Sequence, residues 1–293
     1  MIVITTPTGD IGWQVLGRIL DSGEAVRVVV RDPSRLAPDV RTRAEVVQGS
    51  HSDPDVIVKA LAGADRLFWL VPPASFDSPV PAERYYLDFA RPAAAAAASQ
   101  GVGIVGVTSL GHGYPAEAGL LSAALDMDAL IEGSGADYRA LALPFFMENL
   151  LRQIQGIKEQ GTFSMANTAD RPLLAIATRD VARVAAALLL DKSWTGQARV
   201  PVVSPDNLTP NQMAEVISET LGRPITYRQV PVADLGAMMQ RRGASEATVR
   251  GMTRMIGAQN DGIYDAEPRD AESVAATSFR QWCQDVLKPA IES

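Results

Sequence analysis

Short apolar runs alternate with longer amphipathic stretches through the first half of the chain. Residues 2–4, 25–30, 44–47, 66–71, 103–107 and 138–143 read as strands. Unbroken β-branched runs such as Val28-Val29-Val30 suit strands covered on both faces. Between them, helices are predicted over 12–21, 54–61, 81–99 and about 118–131. The first three stop at Ser22-Gly23, Gly63 and Gly101, residues that accept or lead into a positive φ. The second half is more mixed. Asp180 is expected to cap a helix running to about Leu190. Thr209-Pro210-Asn211-Gln212 has the form of a capping box with proline at the first helical position, and 278–286 reads as a terminal amphipathic helix. Strand and helix in alternation predict an α/β fold, a doubly wound parallel sheet wrapped by helices.

The strongest local constellation is Ile4-Thr5-Thr6-Pro7-Thr8-Gly9-Asp10-Ile11-Gly12, placed directly after the first strand and opening the first helix. Glycine there lets the backbone approach a pyrophosphate, and free amides at the positive end of the helix dipole hold the anion. Glycine also serves many strand-to-helix turns for purely structural reasons, so the downstream context matters. The second strand ends in Arg31-Asp32-Pro33-Ser34-Arg35, at the ~20-residue distance where a ribose-recognising residue falls. Arg31, assisted by Arg35, offers a planar bidentate grip on a 2′-phosphate and favours NADP(H). Asp32, accepting ribose hydroxyls, would select NAD instead. The fold expected is therefore Rossmann-like, with an NADP-binding domain over 1–150 and a smaller C-terminal α/β substrate lobe over 151–293. No repeat or linker separates them, so the lobes are expected to intertwine, with the strand and helix near 174–190 returning to the first domain.

Composition removes several classes. The net charge of -7, from 27 basic and 34 acidic residues, leaves no basic face to neutralise a nucleic-acid backbone. A lone cysteine, Cys283, forms no internal disulfide, and His51 and His112 lie too far apart to suggest a metal site. No apolar run reaches the ~20 residues needed to cross a bilayer, and the N-terminus lacks a signal-peptide pattern; a cytoplasmic location without membrane partners is expected. Lys59, Lys158, Lys192 and Lys288 are the only lysines, an arginine-rich bias typical of GC-rich genomes and suggestive of bacterial secondary metabolism.

The glycine turn, Val30-Arg31-Asp32-Pro33, Gly106-Val107-Thr108-Ser109, Leu143-Pro144-Phe145-Phe146-Met147-Glu148-Asn149 and Thr178-Arg179-Asp180-Val181-Ala182 together resemble the NmrA-like branch of atypical short-chain dehydrogenase/reductases, along nearly the whole chain. The resemblance implies an extended Rossmann fold that binds NADP(H). It implies that Thr8, Gly9, Asp10 and Ile11, with Thr6 and Gly12 shaping the turn, contact the pyrophosphate. Arg31 would meet the ribose phosphate, Val71, Pro72 and Pro73 the middle of the nucleotide, and Pro144 and Phe145 the nicotinamide. Thr6 departs from the family, which has glycine there. A β-branched residue at a tight turn implies modest cofactor affinity.

Short-chain reductases ordinarily pair a proton-donating tyrosine with a lysine one helical turn later. No Tyr-x-x-x-Lys occurs in this chain, and the stretch 118–131 carries Asp126 and Asp128 but no basic residue. Three consequences follow. The substrate tolerates hydride without a strong protein acid, as a quinone, an enone or a phenol-bearing ketone does. Alternatively, Ser109, Thr108, His112 or Tyr114 donates the proton. Or the protein is a non-catalytic NADP(H)-sensing regulator. The leading expectation is an NADPH-dependent reductase of a hydrophobic aromatic or conjugated carbonyl compound, such as a polyketide ketoreductase. Phe146, Met147 and Asn149 are expected at the substrate, and the methionines of residues 237–261 in an adaptable lid. His51 and Trp69 read as structural.

Overall fold

The computed structural model describes residues 1–268 and 275–293. The first half runs β1 (Ile2–Thr5), α1 (Gly12–Ser22), β2 (Val26–Val30), α2 (Pro38–Arg43), β3 (Glu45–Gln48), α3 (Pro54–Leu61), β4 (Arg66–Trp69), α4 (Ala82–Gln100), β5 (Gly103–Ser109), α5 (Leu120–Gly133) and β6 (Tyr138–Leu143). The second half adds β7 (Phe145–Phe146), α6 (Ile154–Gln160), β8 (Thr162–Met165), β9 (Ala175–Ile176), α7 (Thr178–Leu190), β10 (Gln197–Pro201), α8 (Pro210–Leu221), β11 (Thr226–Gln229), α9 (Val232–Arg241), α10 (Glu246–Asn260), α11 (Phe279–Trp282) and α12 (Lys288–Glu292).

Seven strands form one parallel sheet in the order β10-β6-β5-β4-β1-β2-β3, a Rossmann-like α/β architecture. Both faces are covered, which is why the strands read as nearly continuous apolar runs. On one face Val15 and Ile19 of α1 pack with Val181, Ala185 and Leu189 of α7. On the other, Ile57 of α3, Ala93 and Ala97 of α4, and Met127 and Ile131 of α5 fill the core. A third core, with Phe163, Met213, Ile217, Phe279 and Trp282, lies under the short parallel pairs β8/β11 and β7/β9. The chain crosses between these regions more than once: α7 returns to the first face, and β10 completes the main sheet beside β6.

Most helix ends obey the local sequence. α1 stops at Gly23 with φ 81, and the capping box forms, Gln212 N–H donating to Thr209 Oγ1 at 3.2 Å and Thr209 N–H to Gln212 Oε1 at 2.9 Å. Two expectations are corrected. Asp180 does not cap its helix: α7 begins at Thr178, and Asp180 turns away to accept the Thr277 N–H at 3.0 Å and to pair with Arg183. The cap comes from elsewhere in the fold, with both carboxylate oxygens of Glu148 accepting the Thr178 N–H at 3.1 Å. The terminal helix also does not end at 286. A widened turn over Cys283–Leu287 resets the register, so Pro289 falls in the first turn of α12, where its missing N–H costs no hydrogen bond.

The α9 and α10 pair lies across the carboxyl end of the sheet. A Cβ on Gly119 would stand 2.0 Å from the Gly251 carbonyl oxygen, so the backbones of α10 and the start of α5 pass in direct contact. At its other end α10 is tied to the loop after β4: Ser245 N–H donates to the Phe76 carbonyl at 3.3 Å, and Ser245 Oγ to the Ser78 carbonyl. Met238, Met252 and Met255 are half-buried in this cover.

Candidate active site

Strand order reverses between β1 and β4, and the crevice outside their carboxyl ends is where ligands of open parallel sheets bind. Thr5 holds the two ends together, donating from Oγ1 to the Phe68 carbonyl at 2.9 Å and accepting the Leu70 N–H at 3.3 Å. The chain then turns through residues 6–12 into α1. Gly9 N–H donates to the Thr6 carbonyl and Trp13 N–H to the Gly9 carbonyl, both at 3.0 Å. Among the described residues the amides of Thr8, Asp10, Ile11 and Gly12 find no acceptor, so four donors stand at the positive end of an 11-residue helix. That is a cradle for a diphosphate. Gly12 is sterically required, since a Cβ there would lie 2.0 Å from the Thr6 carbonyl oxygen.

Thr6 has φ 53, the left-handed region, although it is β-branched, and its Oγ1 is enclosed without a hydrogen-bond partner. The family's glycine position is thus still a glycine-like conformation in this chain. Beyond β2, Arg31 and Arg35 are exposed and unpaired among the described residues, free to grip a phosphate. Asp32 is occupied: its Oδ1 accepts the Ser34 N–H at 3.0 Å and the Ser34 hydroxyl at 2.7 Å, and these bonds hold its carboxyl below the usual range. The residues present fit a dinucleotide with a 2′-phosphate better than one without.

Val71 is buried and Pro72 and Pro73 lead outward along the crevice. Pro144 is buried, and Phe145 and Phe146 are half-buried where β7 pairs with β9. Met147 is wholly enclosed in the core of the lobe, and Asn149 is half-buried. Glu148, between them, is a residue that sequence reasoning passed over; besides capping α7 it accepts the Trp282 Nε1–H at 3.1 Å.

The proton-donor candidates separate at the end of β5. Ser109 is buried, its hydroxyl donating to the Leu110 carbonyl at 2.7 Å. His112 is exposed, and Tyr114 is half-buried against the lobe core. Burial and, next, the Asp261 carboxylate push the Tyr114 phenol upward, so it keeps its proton at neutral pH. His51 lies between the rings of Trp69 and Phe89, at 5.1 and 5.0 Å, and burial lowers it to about 4, leaving a neutral core imidazole. On α5, Asp128 is 2% exposed and locked to Arg199 Nη1 at 2.6 Å and to the Tyr138 hydroxyl at 2.5 Å. A carboxylate on the buried face of a helix was the sequence signal for such a pair; its partner on β10 was not visible. Among the described residues no group of acidic, histidine or cysteine side chains is arranged to hold a metal, and no helix is long and apolar enough to cross a membrane.

Fold, reversed strand order and free-amide turn define a nicotinamide-dinucleotide-binding α/β protein. Residues 7–192 match the profile of an NAD(P)H-binding family and residues 128–279 that of the NmrA-like family; the chain belongs to the NmrA-like, NAD(P)H-binding proteins. It is 30% identical over 295 residues to the (4-alkanoyl-5-oxo-2,5-dihydrofuran-3-yl)methyl phosphate reductase of Streptomyces griseus subsp. griseus, covering 94% of this chain and 99% of the relative. It is 25% identical over 269 residues to quinone oxidoreductase 2 of Escherichia coli K12, 90% of each chain. The crystal structure of the Escherichia coli NADPH-dependent quinone oxidoreductase with NADPH superposes with a TM-score of 0.79 at 20% identity, over 98% of this chain and 100% of the other. The chain is accordingly an NAD(P)H-dependent oxidoreductase.

Proposed function

We propose that this protein is an NADPH-dependent reductase of an electron-poor conjugated acceptor, a quinone, an enone or an aromatic ketone, bound in the crevice under α9 and α10. The observation that carries the reading is the electrostatics of α5. Where a tyrosine-activating lysine would be needed, the helix presents Asp128, buried and committed to Arg199 and Tyr138. The cation beside it, Arg199, is paired with the Asp128 and Glu267 carboxylates, and among the described residues α5 carries no lysine or arginine to lower a phenol and drive proton transfer.

The cofactor, when bound, supplies a hydride to the acceptor. What the chain contributes is holding and orientation. The amides at the start of α1 fix the diphosphate, Arg31 and Arg35 bind the 2′-phosphate, and Pro144 and Phe145 wall the nicotinamide end. Phe146 and Asn149 lie close along the chain for contact with the acceptor, while Met147 acts from behind through the lobe core. Tyr114, whose phenol keeps its proton, is a group with a proton to give, and the exposed His112 imidazole lies in the same loop. A conjugated acceptor spreads the incoming negative charge over its π system and an oxygen, so positioning rather than a strong acid supplies the rate. The named substrates of the relatives, a quinone and an alkanoyl oxo-dihydrofuran, are acceptors of this kind.

The test follows NADPH absorbance with quinones, enones and polycyclic aromatic ketones, repeated with NADH. Turnover of a conjugated acceptor with a preference for NADPH is expected, while a simple aliphatic ketone is left unreduced. Tight NADPH binding with no turnover of any acceptor would overturn the reading in favour of an NADP-state sensor. A preference for NADH would overturn the role given to Arg31.

A further inference from the structure

Behind the loop that carries His112 and Tyr114 lies a buried cluster of charge that the cofactor turn does not use. Arg199 reaches in from β10. Its Nε donates to Glu267 Oε1 at 2.7 Å, its Nη2 to Glu267 Oε2 at 3.1 Å and to the Ser109 carbonyl at 3.0 Å, and its Nη1 to Asp128 at 2.6 Å. Glu267 Oε2 also accepts the main-chain N–H groups of Gly111 at 3.1 Å and His112 at 3.3 Å. Tyr138 closes the far end on Asp128. Every carboxylate oxygen in the cluster has a donor, and Asp128 and Glu267 are 2% and 6% exposed.

A second contact bears on the same loop from the same segment. Gly111 has φ 118, and a Cβ there would stand 2.5 Å from Ile263 Cγ1. The segment that follows α10 therefore presses on the loop twice, once with an isoleucine against a bare Cα and once with a carboxylate on two successive amides. Buried ion clusters add little net stability over apolar side chains of similar volume. What a fully satisfied cluster does supply is a fixed geometry. Here three main-chain donors and acceptors of residues 109–112 are taken by one Arg-Glu pair, in the loop that carries His112 and Tyr114.

We propose that Glu267 and Arg199 are positioning residues for the reduction: together they fix the main chain of residues 109–112 and so set where His112 and Tyr114 stand at the crevice. The proposal rests on the reductase reading above. It also makes the α9 and α10 cover and the loop one mechanical unit, because Glu267 lies on the segment that leaves α10.

The experiment compares wild type with Glu267→Gln, Gly111→Ala and Arg199→Lys, using NADPH with menadione as the acceptor, NADPH Kd by fluorescence, and hydrogen exchange of the peptide spanning 109–116. Glu267→Gln keeps the size but replaces a charged acceptor by an amide. Gly111→Ala leaves the cluster intact and displaces the loop. Both are expected to lower kcat roughly 10- to 100-fold, to leave NADPH Kd within about twofold, and to speed exchange at the 111 and 112 amides. Arg199→Lys keeps the cation and is expected to fall between them and wild type. Should Glu267→Gln fail to fold, Gly111→Ala decides the same question. The proposal is overturned if kcat in the folded variants stays near wild type, or if NADPH binding falls in step with kcat, the mark of a general loss of structure. A wild type inactive with every acceptor overturns the reductase reading instead, and unchanged exchange in the variants would then overturn the anchoring itself.

Discussion

Replacing Thr6 by glycine should make this protein more stable, against the usual direction of a substitution to glycine. With φ 53, Thr6 sits where an L side chain costs about 1–2 kcal/mol. Its enclosed, unpartnered hydroxyl adds a desolvation penalty of about 1–3 kcal/mol. Against this stand the extra freedom of glycine in the unfolded chain, about 0.5–1 kcal/mol, and the loss of one half-buried methyl, about 0.8 kcal/mol. Taken at their midpoints these terms leave a gain of about 2 kcal/mol. Unfolding entropy near 2.1 cal/mol/K per residue, over 293 residues, converts that to roughly 3 °C in Tm. Calorimetry without cofactor and urea titration measure it; the midpoint should rise with an unchanged m-value. Thr6→Ala, which removes the hydroxyl but keeps a Cβ, should fall between the two. A lower Tm for Thr6→Gly would refute the reasoning, and an alanine variant as stable as the glycine one would assign the whole effect to the hydroxyl. The same exchange relieves crowding at the diphosphate cradle, so NADPH should bind at least as tightly.

Three further outcomes follow from the site and its supports. Arg31→Ala should weaken NADPH about tenfold while leaving NADH nearly unchanged, read by fluorescence titration of each; equal losses would place Arg31 away from the 2′-phosphate. Glu148→Ala uncaps α7 and strands the Trp282 indole N–H, and thermal unfolding should show a loss of about 1–3 kcal/mol, with a value near zero arguing against the cap. His51 lies at about 4 in the folded protein against 6.5 in the free side chain, so the unfolded chain binds more protons between those values. Stability should therefore be complete above about pH 6.5 and decline as the pH falls toward 4, by up to about 3 kcal/mol from this group. Urea unfolding across that range should show a shallower slope in His51→Gln; an unchanged slope would take the burial argument away from His51.

The parts of the fold legible in the sequence are those whose cause is local. β-branched runs marked the buried parallel strands, glycines marked helix ends such as Gly23, and Thr209 with Gln212 announced their own capping box. The glycine turn was legible because strand, turn and helix are contiguous and the phosphate chemistry lies in the backbone itself. Asp180 shows where such reasoning stops. Its position suits a cap, yet Glu148, 30 residues earlier, takes the Thr178 N–H, leaving Asp180 to the Thr277 amide. Met147 reads as a pocket side chain in an apolar run and lies instead wholly within the lobe core, because β7 carries the run across the edge of the sheet into the lobe.

By itself the sequence determined that a glycine turn joins the first strand to α1, that Arg31 ends the second strand about 20 residues on, and that no Tyr-x-x-x-Lys occurs. These depend on residue identity and short spacing. Only the tertiary structure decided that Asp32 is spent on Ser34, that Ser109 is turned to its own neighbour, and that Arg199 and Glu267 converge on residues 109–112 from 68 positions apart. Buried charge is tolerated only beside its partner, and which partner arrives is fixed by strand order and helix crossing, quantities that no local pattern along the chain encodes.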